Sequence, residues 1–175
     1  MAHKIQKEFC LSVLEKLPEH FKNQRVLDIG SVDINGNNRY LFTDCDILGI
    51  DLMMGPNVDL VCAANELQFR DGYFDIICST EHYEHDPNWQ DSLRNTVRML
   101  RSGGLYLMTC ATTGRPEHGT RRSKPEQSLI SVLEIDYYMN LTEEDFRSVV
   151  NIDEVFKEYA FSTKAQDLYF YGIKR

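Results

Sequence analysis

The segment STEHYEHD, residues 79–86, concentrates side chains that can accept or donate protons. His82 and His85 alternate there with carboxylates, and His118 follows further along the chain. Histidine has an ordinary pKa close to neutrality, so it can take a proton from a hydroxyl group as the oxygen attacks an electrophile. We therefore predict His82, His85 and His118 as candidate catalytic bases. The alternative is that the segment only leads into a helix and makes structural hydrogen bonds.

A second group of polar residues lies in RVLDIGSVDING, residues 25–36. An apolar run contains Asp28 and reaches Gly30, but Ser31 and Asp33 follow where a dinucleotide site needs more glycine. Pyrophosphate binds bare backbone at a helix N-terminus, and these side chains would obstruct it. Asp28 can instead accept hydrogen bonds relayed from a cationic amino group. A second acid, Asp51, ends the next apolar run, where a carboxylate usually pairs with ribose hydroxyls. The pattern favours S-adenosylmethionine (SAM), which carries an ammonium and no phosphate.

Short apolar runs predict the sheet that positions these residues. Continuous apolar runs are typical of parallel strands that are covered on both faces. Five such runs lie at 25–29, 45–51, 57–62, 73–79 and 105–111, and two more, near 154–162 and 167–173, are close enough to pair antiparallel.

Helical spacing of apolar residues predicts three helices. The first covers 4–17, the second begins at Asp86 and Pro87, and the third begins after Thr142, whose side chain can cap it. We also expect a helix directly after the glycine turn. Alternating strands and helices predict an α/β doubly wound sheet.

Composition limits the class of protein. The 175 residues fit one domain, 1–175, and the net charge of −8 argues against binding to duplex nucleic acid. Five widely spaced cysteines form no C-x-x-C pair, which excludes a zinc knuckle. No apolar run approaches the ~20 residues of a membrane span. The first ten residues lack the apolar core of a signal peptide, so we expect a cytoplasmic protein that binds no membrane.

Four stretches resemble, in order, the motif series of class I SAM-dependent methyltransferases: VLDIGSVDING, GIDL, CAANELQFRDGYFDIICSTEHYEH and MLRSGGLYLMT. The resemblance covers about residues 25–111. It implies a doubly wound, mostly parallel sheet of seven strands whose last strand is antiparallel. It also assigns a cofactor site to Asp28, Gly30, Ser31, Asp51, Leu52, Ala63, Ala64 and Ser79. Ser31 and Ala63 depart from the usual residue types at their positions.

Part of STEHYEHD also resembles a metal-binding pattern. Glu81, Glu84 and His85 match the E-x-x-E-H arrangement that binds a divalent ion in ubiquinone-pathway O-methyltransferases and in small-RNA 3′-terminal 2′-O-methyltransferases. A further histidine completes the second of these sites, and His118 could take that part. Two carboxylates and imidazole nitrogen suit Mg²⁺ or Mn²⁺ poorly to moderately, and Zn²⁺ or Fe²⁺ also fit. The ion would orient an acceptor diol and lower its pKa.

Residues 112–141 interrupt the strand–helix alternation where this family has its acceptor lid, and we interpret them as an acceptor-side insert. Arg115, Arg121 and Arg122 would favour an anionic small-molecule acceptor, although a solvated surface loop is the alternative. Tyr138 could frame a sugar ring or pack in the core. Among possible activities we favour O-methylation of a saccharide or another small metabolite. A metal-assisted RNA-end 2′-O-methyltransferase, a non-catalytic SAM-binding subunit and an NAD-dependent sugar enzyme stay open as alternatives.

Overall fold

Seven strands form one sheet in the computed structural model, which describes residues 4–34, 36–128 and 133–175. In chain order they are β1 (Arg25–Ile29), β2 (Asp46–Asp51), β3 (Leu60–Val61), β4 (Phe74–Thr80), β5 (Leu100–Ala111), β6 (Phe156–Lys164) and β7 (Asp167–Lys174). Their spatial order is β3-β2-β1-β4-β5-β7-β6. Strands β1 to β5 pair in parallel, whereas β7 is antiparallel to both of its neighbours. The predicted seven-stranded, doubly wound α/β sheet with an antiparallel last strand is confirmed.

Helices cover both faces of this sheet. They are α1 (Lys4–Lys16), α2 (Trp89–Met99), α3 (Glu143–Val149) and α4 (Ile152–Val155). On β1, Val26 packs in the core cluster that includes α1, while Leu27 packs in the cluster that includes α2 and α3. Successive side chains of a strand point to opposite faces, so each face of the sheet obtains its own apolar core. In the part of the chain that the structure describes, no helix is long and apolar enough to cross a membrane.

Local signals explain where two helices begin. Thr142 caps α3 as predicted: its hydroxyl accepts a hydrogen bond from the Asp145 amide, and the Asp145 carboxylate accepts one from the Thr142 amide. Helix α2 begins three residues later than the predicted Asp86. The Asp86 carboxylate nevertheless accepts hydrogen bonds from the Asn88 amide (2.7 Å) and the Ser92 hydroxyl (2.5 Å), so it holds the first turn from outside the helix.

The expected helix after the glycine turn is absent from the described residues between β1 and β2, which contain only a 3₁₀ turn at Arg39–Leu41. Side chains in this loop bind its own backbone instead. The carboxylate of Asp33 accepts hydrogen bonds from the Gly36 amide (2.8 Å) and the Asn37 side chain (2.6 Å), and Asn37 accepts one from the Arg39 amide (2.9 Å). Asp and Asn stabilise turns of this kind in competition with helical hydrogen bonds. The expectation of a helix was therefore wrong.

Candidate functional site

A cavity of about 330 Å³ opens at the carboxyl ends of β1, β2 and β4. The strand order reverses between β1 and β4, and ligands of doubly wound sheets bind at such a switch point. Seven of the predicted cofactor residues line this cavity: Asp28, Gly30, Ser31, Asp51, Leu52, Ala63 and Ala64. Ser79 does not, because its side chain is fully buried within β4, and Thr80 lines the cavity instead.

Asp28 is a buried carboxyl group on the cavity wall, with 2% of its surface exposed. Burial raises the pKa of Asp28 to about 7, because the ionised form loses its hydration. The positive charge of Arg39 opposes this rise, and the negative charge of Asp51 adds to it. A carboxyl group in this setting gains most from a ligand that brings a positive charge.

The glycine turn is held against the end of β2. One Asp51 oxygen accepts a hydrogen bond from the Leu52 amide (2.7 Å) and the other from the Val32 amide (3.2 Å). Gly30 has a φ of 70°, a conformation that favours glycine, and a Cβ there would lie in tight contact, 3.1 Å from the Cβ of His82. The Ser31 hydroxyl is buried on this wall with no hydrogen-bond partner among the described residues. It also lies 2.7 Å from the place of a Cβ on Gly49, so the absence of a side chain at that position of β2 leaves room for it.

His82 and Asp86 form a pair on the same wall. The His82 Nε2 atom lies 3.5 Å from the Asp86 Oδ2 atom, and the two side chains are 19% and 11% exposed. Burial alone would raise the pKa of Asp86, but the neighbouring His82 and the hydrogen bond from Ser92 outweigh it and lower that pKa. Asp86 is therefore ionised at neutral pH. We did not predict that Asp86 pairs with His82, although the two residues are four positions apart in the sequence.

Three of the four predicted metal ligands come together behind this wall. Glu84, His85 and His118 are buried, and one ligating atom of each lies within 4.8 Å of the others. Burial lowers the pKa of His85 to about 3, with a further contribution from His118, whose own pKa is lowered mainly by burial. Both imidazoles are therefore neutral at pH 7. Glu81 lies on the cavity wall outside this cluster, where it accepts a hydrogen bond from the Thr109 hydroxyl (2.9 Å).

Of the predicted bases, His82 and His85 line the cavity, whereas His118 does not. Tyr138 is also absent from the cavity wall. Its ring packs against His85 and His118, at centroid distances of 5.5 and 5.0 Å. The predicted role of Tyr138 in framing a sugar ring is therefore not supported, and its position is one of packing against the two imidazoles.

The basic residues of the insert do not line the cavity either. Arg122 binds Glu117 (2.9 Å) and Asp136 (3.0 Å) at the surface, and Arg121 lies 3.6 Å from Glu134. The prediction that Arg121 and Arg122 bind an anionic acceptor overlooked Glu134 and Asp136, which follow later in the insert. Residues 129–132 of the insert lie outside the described part of the chain. Among the described residues of the insert, Gln127, Ser128 and Ile135 line the cavity.

Arg115 has a structural partner as well. It donates a hydrogen bond to Asp167 (2.9 Å), a fully buried carboxylate at the start of β7, and only 20% of the Arg115 side chain is exposed. The structure places Arg115 in an ion pair between the insert and the sheet, and its role in acceptor binding stays a prediction.

Alanine substitutions should separate these two kinds of arginine. Arg115→Ala is expected to lower the free energy of unfolding by about 3 kcal/mol or more, because it leaves the buried Asp167 carboxylate without this ion-pair partner. Arg122→Ala should cost less than about 1 kcal/mol, since its ion pairs are exposed to solvent. Urea denaturation of both variants measures the difference. Equal losses would contradict the structural role of Arg115.

Comparison with known proteins gives a family for this architecture. A family model described as a methyltransferase domain matches residues 17–108, just over half of the chain. The chain belongs to this family. The matched region begins before β1 and ends within β5, so the methyltransferase domain family accounts for the wall of the cavity formed by β1, β2 and β4, and not for the insert. The resemblance to class I SAM-dependent methyltransferases is thereby confirmed.

One curated relative, the sarcosine/dimethylglycine N-methyltransferase of Halorhodospira halochloris, is 30% identical over 102 residues. This alignment covers 48% of the present chain and 36% of that relative, so the chain spans about a third of its length.

Solved structures share the fold at low sequence identity. Phosphoethanolamine N-methyltransferase 2 of Haemonchus contortus, in complex with SAM, superposes with a TM-score of 0.63 at 18% identity over 94% of this chain and 52% of that one. The 1,6-didemethyltoxoflavin-N1-methyltransferase of Burkholderia thailandensis, with S-adenosylhomocysteine bound, gives 0.65 at 14% identity over 98% and 78% of the two chains. The present chain thus spans about half of the first of these proteins.

Proposed function

We propose that this methyltransferase domain transfers the methyl group of SAM to a hydroxyl oxygen of a small, polar acceptor that binds in the cavity. SAM supplies an electrophilic methyl group on a sulfonium when it is bound. The observation that carries the proposal is the His82–Asp86 pair on the cavity wall, with its nitrogen and oxygen 3.5 Å apart. A hydroxyl group must lose its proton as it attacks, and an imidazole held by a carboxylate can accept that proton.

The residues of the wall suit SAM. Asp28 is a buried carboxyl group that an ammonium would stabilise in its ionised form, and the Ser31 hydroxyl is without a partner among the described residues. Each Asp51 oxygen accepts one backbone hydrogen bond and keeps a second lone pair for a ribose hydroxyl. We assign these three residues, with Gly30, Leu52, Ala63 and Ala64, to cofactor binding.

The orientation of His82 indicates which nitrogen accepts the proton. Its Nε2 atom lies 3.5 Å from the ionised Asp86 and is buried without a hydrogen-bond partner among the described residues, so we place the imidazole proton on Nε2, where the carboxylate can accept it. Nδ1 is then the basic atom, and it lies beside the glycine turn, 3.2 Å from the place of a Cβ on Gly30. His82 would accept the proton there, and Asp86 would stabilise the imidazolium that forms.

The charge of the wall favours a neutral acceptor over an anionic one. Five carboxyl groups line the cavity, from Asp28, Asp51, Glu66, Glu81 and Asp86, whereas its described wall contains no lysine or arginine. A phosphorylated acceptor would find no basic side chain on this wall to bind it, and the ionised Asp86 would repel it. A neutral saccharide hydroxyl agrees with the charge of the wall and with the need for a base.

N-methylation of a small amine is the second candidate. The relative from Halorhodospira halochloris and the structure from Haemonchus contortus are both named as N-methyltransferases, and an acidic wall also suits a cationic amine. An amine that arrives as the free base needs no general base, so this activity would leave the His82–Asp86 pair without a role.

A matched pair of acceptors distinguishes the two activities. Glucose and glucosamine differ by a hydroxyl and an amino group at one carbon, and SAM with a deuterated methyl group marks the product. We expect transfer of the deuterated methyl group to both sugars, detected as a mass increase. NMR should locate the methyl group on an oxygen atom. Label on the glucosamine nitrogen alone would overturn O-methylation. A single-stranded RNA end in the same panel tests the alternative RNA activity.

A further inference from the structure

We propose that Glu84, His85 and His118 bind a divalent transition-metal ion next to the cavity. The three side chains come from different parts of the fold: Glu84 and His85 follow β4, and His118 belongs to the insert after β5. Their ligating atoms converge to within 4.8 Å of one another in a buried setting. This convergence of a carboxylate and two imidazoles across the sheet is the observation on which the proposal rests.

Two atoms of the cluster are buried without a hydrogen-bond partner in the described structure: Glu84 Oε2 and His85 Nδ1. The other Glu84 oxygen accepts a hydrogen bond from the Ala111 amide at 3.2 Å. Buried polar atoms normally have partners, because an unpaired one loses its interaction with water and gains nothing in return. Unpartnered acceptor atoms from two residues of one cluster therefore indicate a ligand that accepts electron pairs.

The burial of the cluster suits a cation. Glu84 is completely buried, and a buried carboxylate is stable only when it is paired with a positive charge or coordinates a metal. A bound cation would supply that charge.

His118 is oriented as metal-binding histidines usually are. Its Nδ1 atom lies 3.1 Å from the carbonyl oxygen of Pro116, so the imidazole proton belongs there and the lone pair of Nε2 is available. The following residue, Gly119, has a φ of 66°, and a Cβ on it would lie 2.8 Å from the Cε1 atom of His85. Because Gly119 has no side chain, the insert backbone can approach the imidazole of His85 closely, and His118 then lies next to that imidazole.

The ligand types decide which ions fit. Mg²⁺ prefers oxygen ligands and keeps several waters, whereas two imidazoles and one carboxylate suit Zn²⁺, Fe²⁺, Co²⁺ or Mn²⁺. Three protein ligands leave at least one coordination position open, as in catalytic zinc sites. His85 also lines the cavity, so an ion here would lie beside the acceptor, and this last step rests on the proposed function.

Titration of tag-free, metal-stripped protein with Co²⁺ tests the site, because Co²⁺ held by protein ligands gives a visible absorption band. We expect one Co²⁺ per chain, displacement by Zn²⁺ but not by Mg²⁺, and a higher melting temperature with the ion bound. His118→Gln and Glu84→Gln should weaken Co²⁺ binding by more than about tenfold. The control is His20→Gln, which removes an imidazole on the turn before β1 and should leave the titration unchanged.

Wild-type protein that gives no stoichiometric Co²⁺ or Zn²⁺ binding would overturn the proposal, whether or not the variants fold. So would a folded His118→Gln variant, judged by circular dichroism, that binds Co²⁺ as the wild type does. Both measurements are made without SAM or acceptor. Their failure is therefore distinguishable from failure of the proposed methyl transfer.

Discussion

Replacement of His82 by alanine is expected to lower kcat by about 10²- to 10⁴-fold, the usual contribution of a general base. The reason is the position of its imidazole beside the glycine turn, with Nε2 3.5 Å from the ionised Asp86. SAM affinity should change little, because Asp28, Asp51 and Ser31 are the residues assigned to the cofactor. Steady-state kinetics with saturating acceptor, together with SAM titration of the variant, measure the two quantities separately.

Asp86→Asn should give a smaller loss of kcat, because it keeps the imidazole and removes only the charge that stabilises its protonated form. His20→Gln is the matched control, a histidine substitution outside the cavity, and should leave kcat unchanged. An His82→Ala variant with wild-type kcat would remove His82 from the mechanism. The N-methylation of a free amine would then be the better account.

Asp28→Asn is expected to stabilise the protein at pH 8 by as much as about 4 kcal/mol. The folded-state pKa of Asp28 is raised from 3.8 to about 7, so the folded protein holds this proton more tightly than the unfolded chain. Below about pH 4 the carboxyl group is protonated in both the folded and the unfolded state, so it does not lower the free energy of unfolding. Between about pH 4 and pH 7 the unfolded chain ionises first, and the free energy of unfolding falls. A difference of about 3 pKa units corresponds to about 4 kcal/mol, which asparagine would avoid.

Urea denaturation of wild type and variant at pH 4.5 and pH 8 measures this effect. The gain in the free energy of unfolding should be large at pH 8 and small at pH 4.5. Other buried acids, Glu81 and Glu84, are present in both proteins, so their effects cancel in the comparison. Asp44→Asn, at an exposed residue in the loop before β2, is the control for a change of surface charge and should have a small effect at both pH values. A variant that gains equally at both pH values would contradict the raised pKa.

The sheet and one helix start could be predicted because their signals are local. Apolar runs of a few residues identified the strands, and Thr142 with Asp145 contains the whole capping box. The glycine turn with Asp28 and Asp51 also predicted the cavity wall correctly, since the ends of neighbouring parallel strands meet at one edge of the sheet. Ser79 precedes Thr80, which lines the cavity, by one residue along β4, and one residue reverses the face of a strand to which a side chain points.

Contacts between distant residues could not be predicted in this way. Arg115 appeared available for an acceptor, but its partner Asp167 comes from β7, at the other end of the chain. Arg122 binds Asp136, which follows beyond the basic stretch. The fold brings oppositely charged residues from distant parts of the sequence together. A basic segment of sequence therefore does not establish a basic surface. The cluster of Glu84 and His85 with His118 differs from these pairs, because its three residues were named together from the resemblance rather than from a local signal.

Calorimetric titration of SAM at pH 8, into wild type and the Asp28→Asn variant, tests the central claim most directly. The cavity should bind SAM saturably in the wild type and should not bind NAD⁺. The Asp28→Asn variant should bind SAM about tenfold more weakly or worse, because hydrogen bonds to a charged group contribute about 1.5–3 kcal/mol, while the same variant is the more stable protein. Wild-type protein that binds no SAM, or a variant that binds it equally well, would contradict the assignment of this cavity.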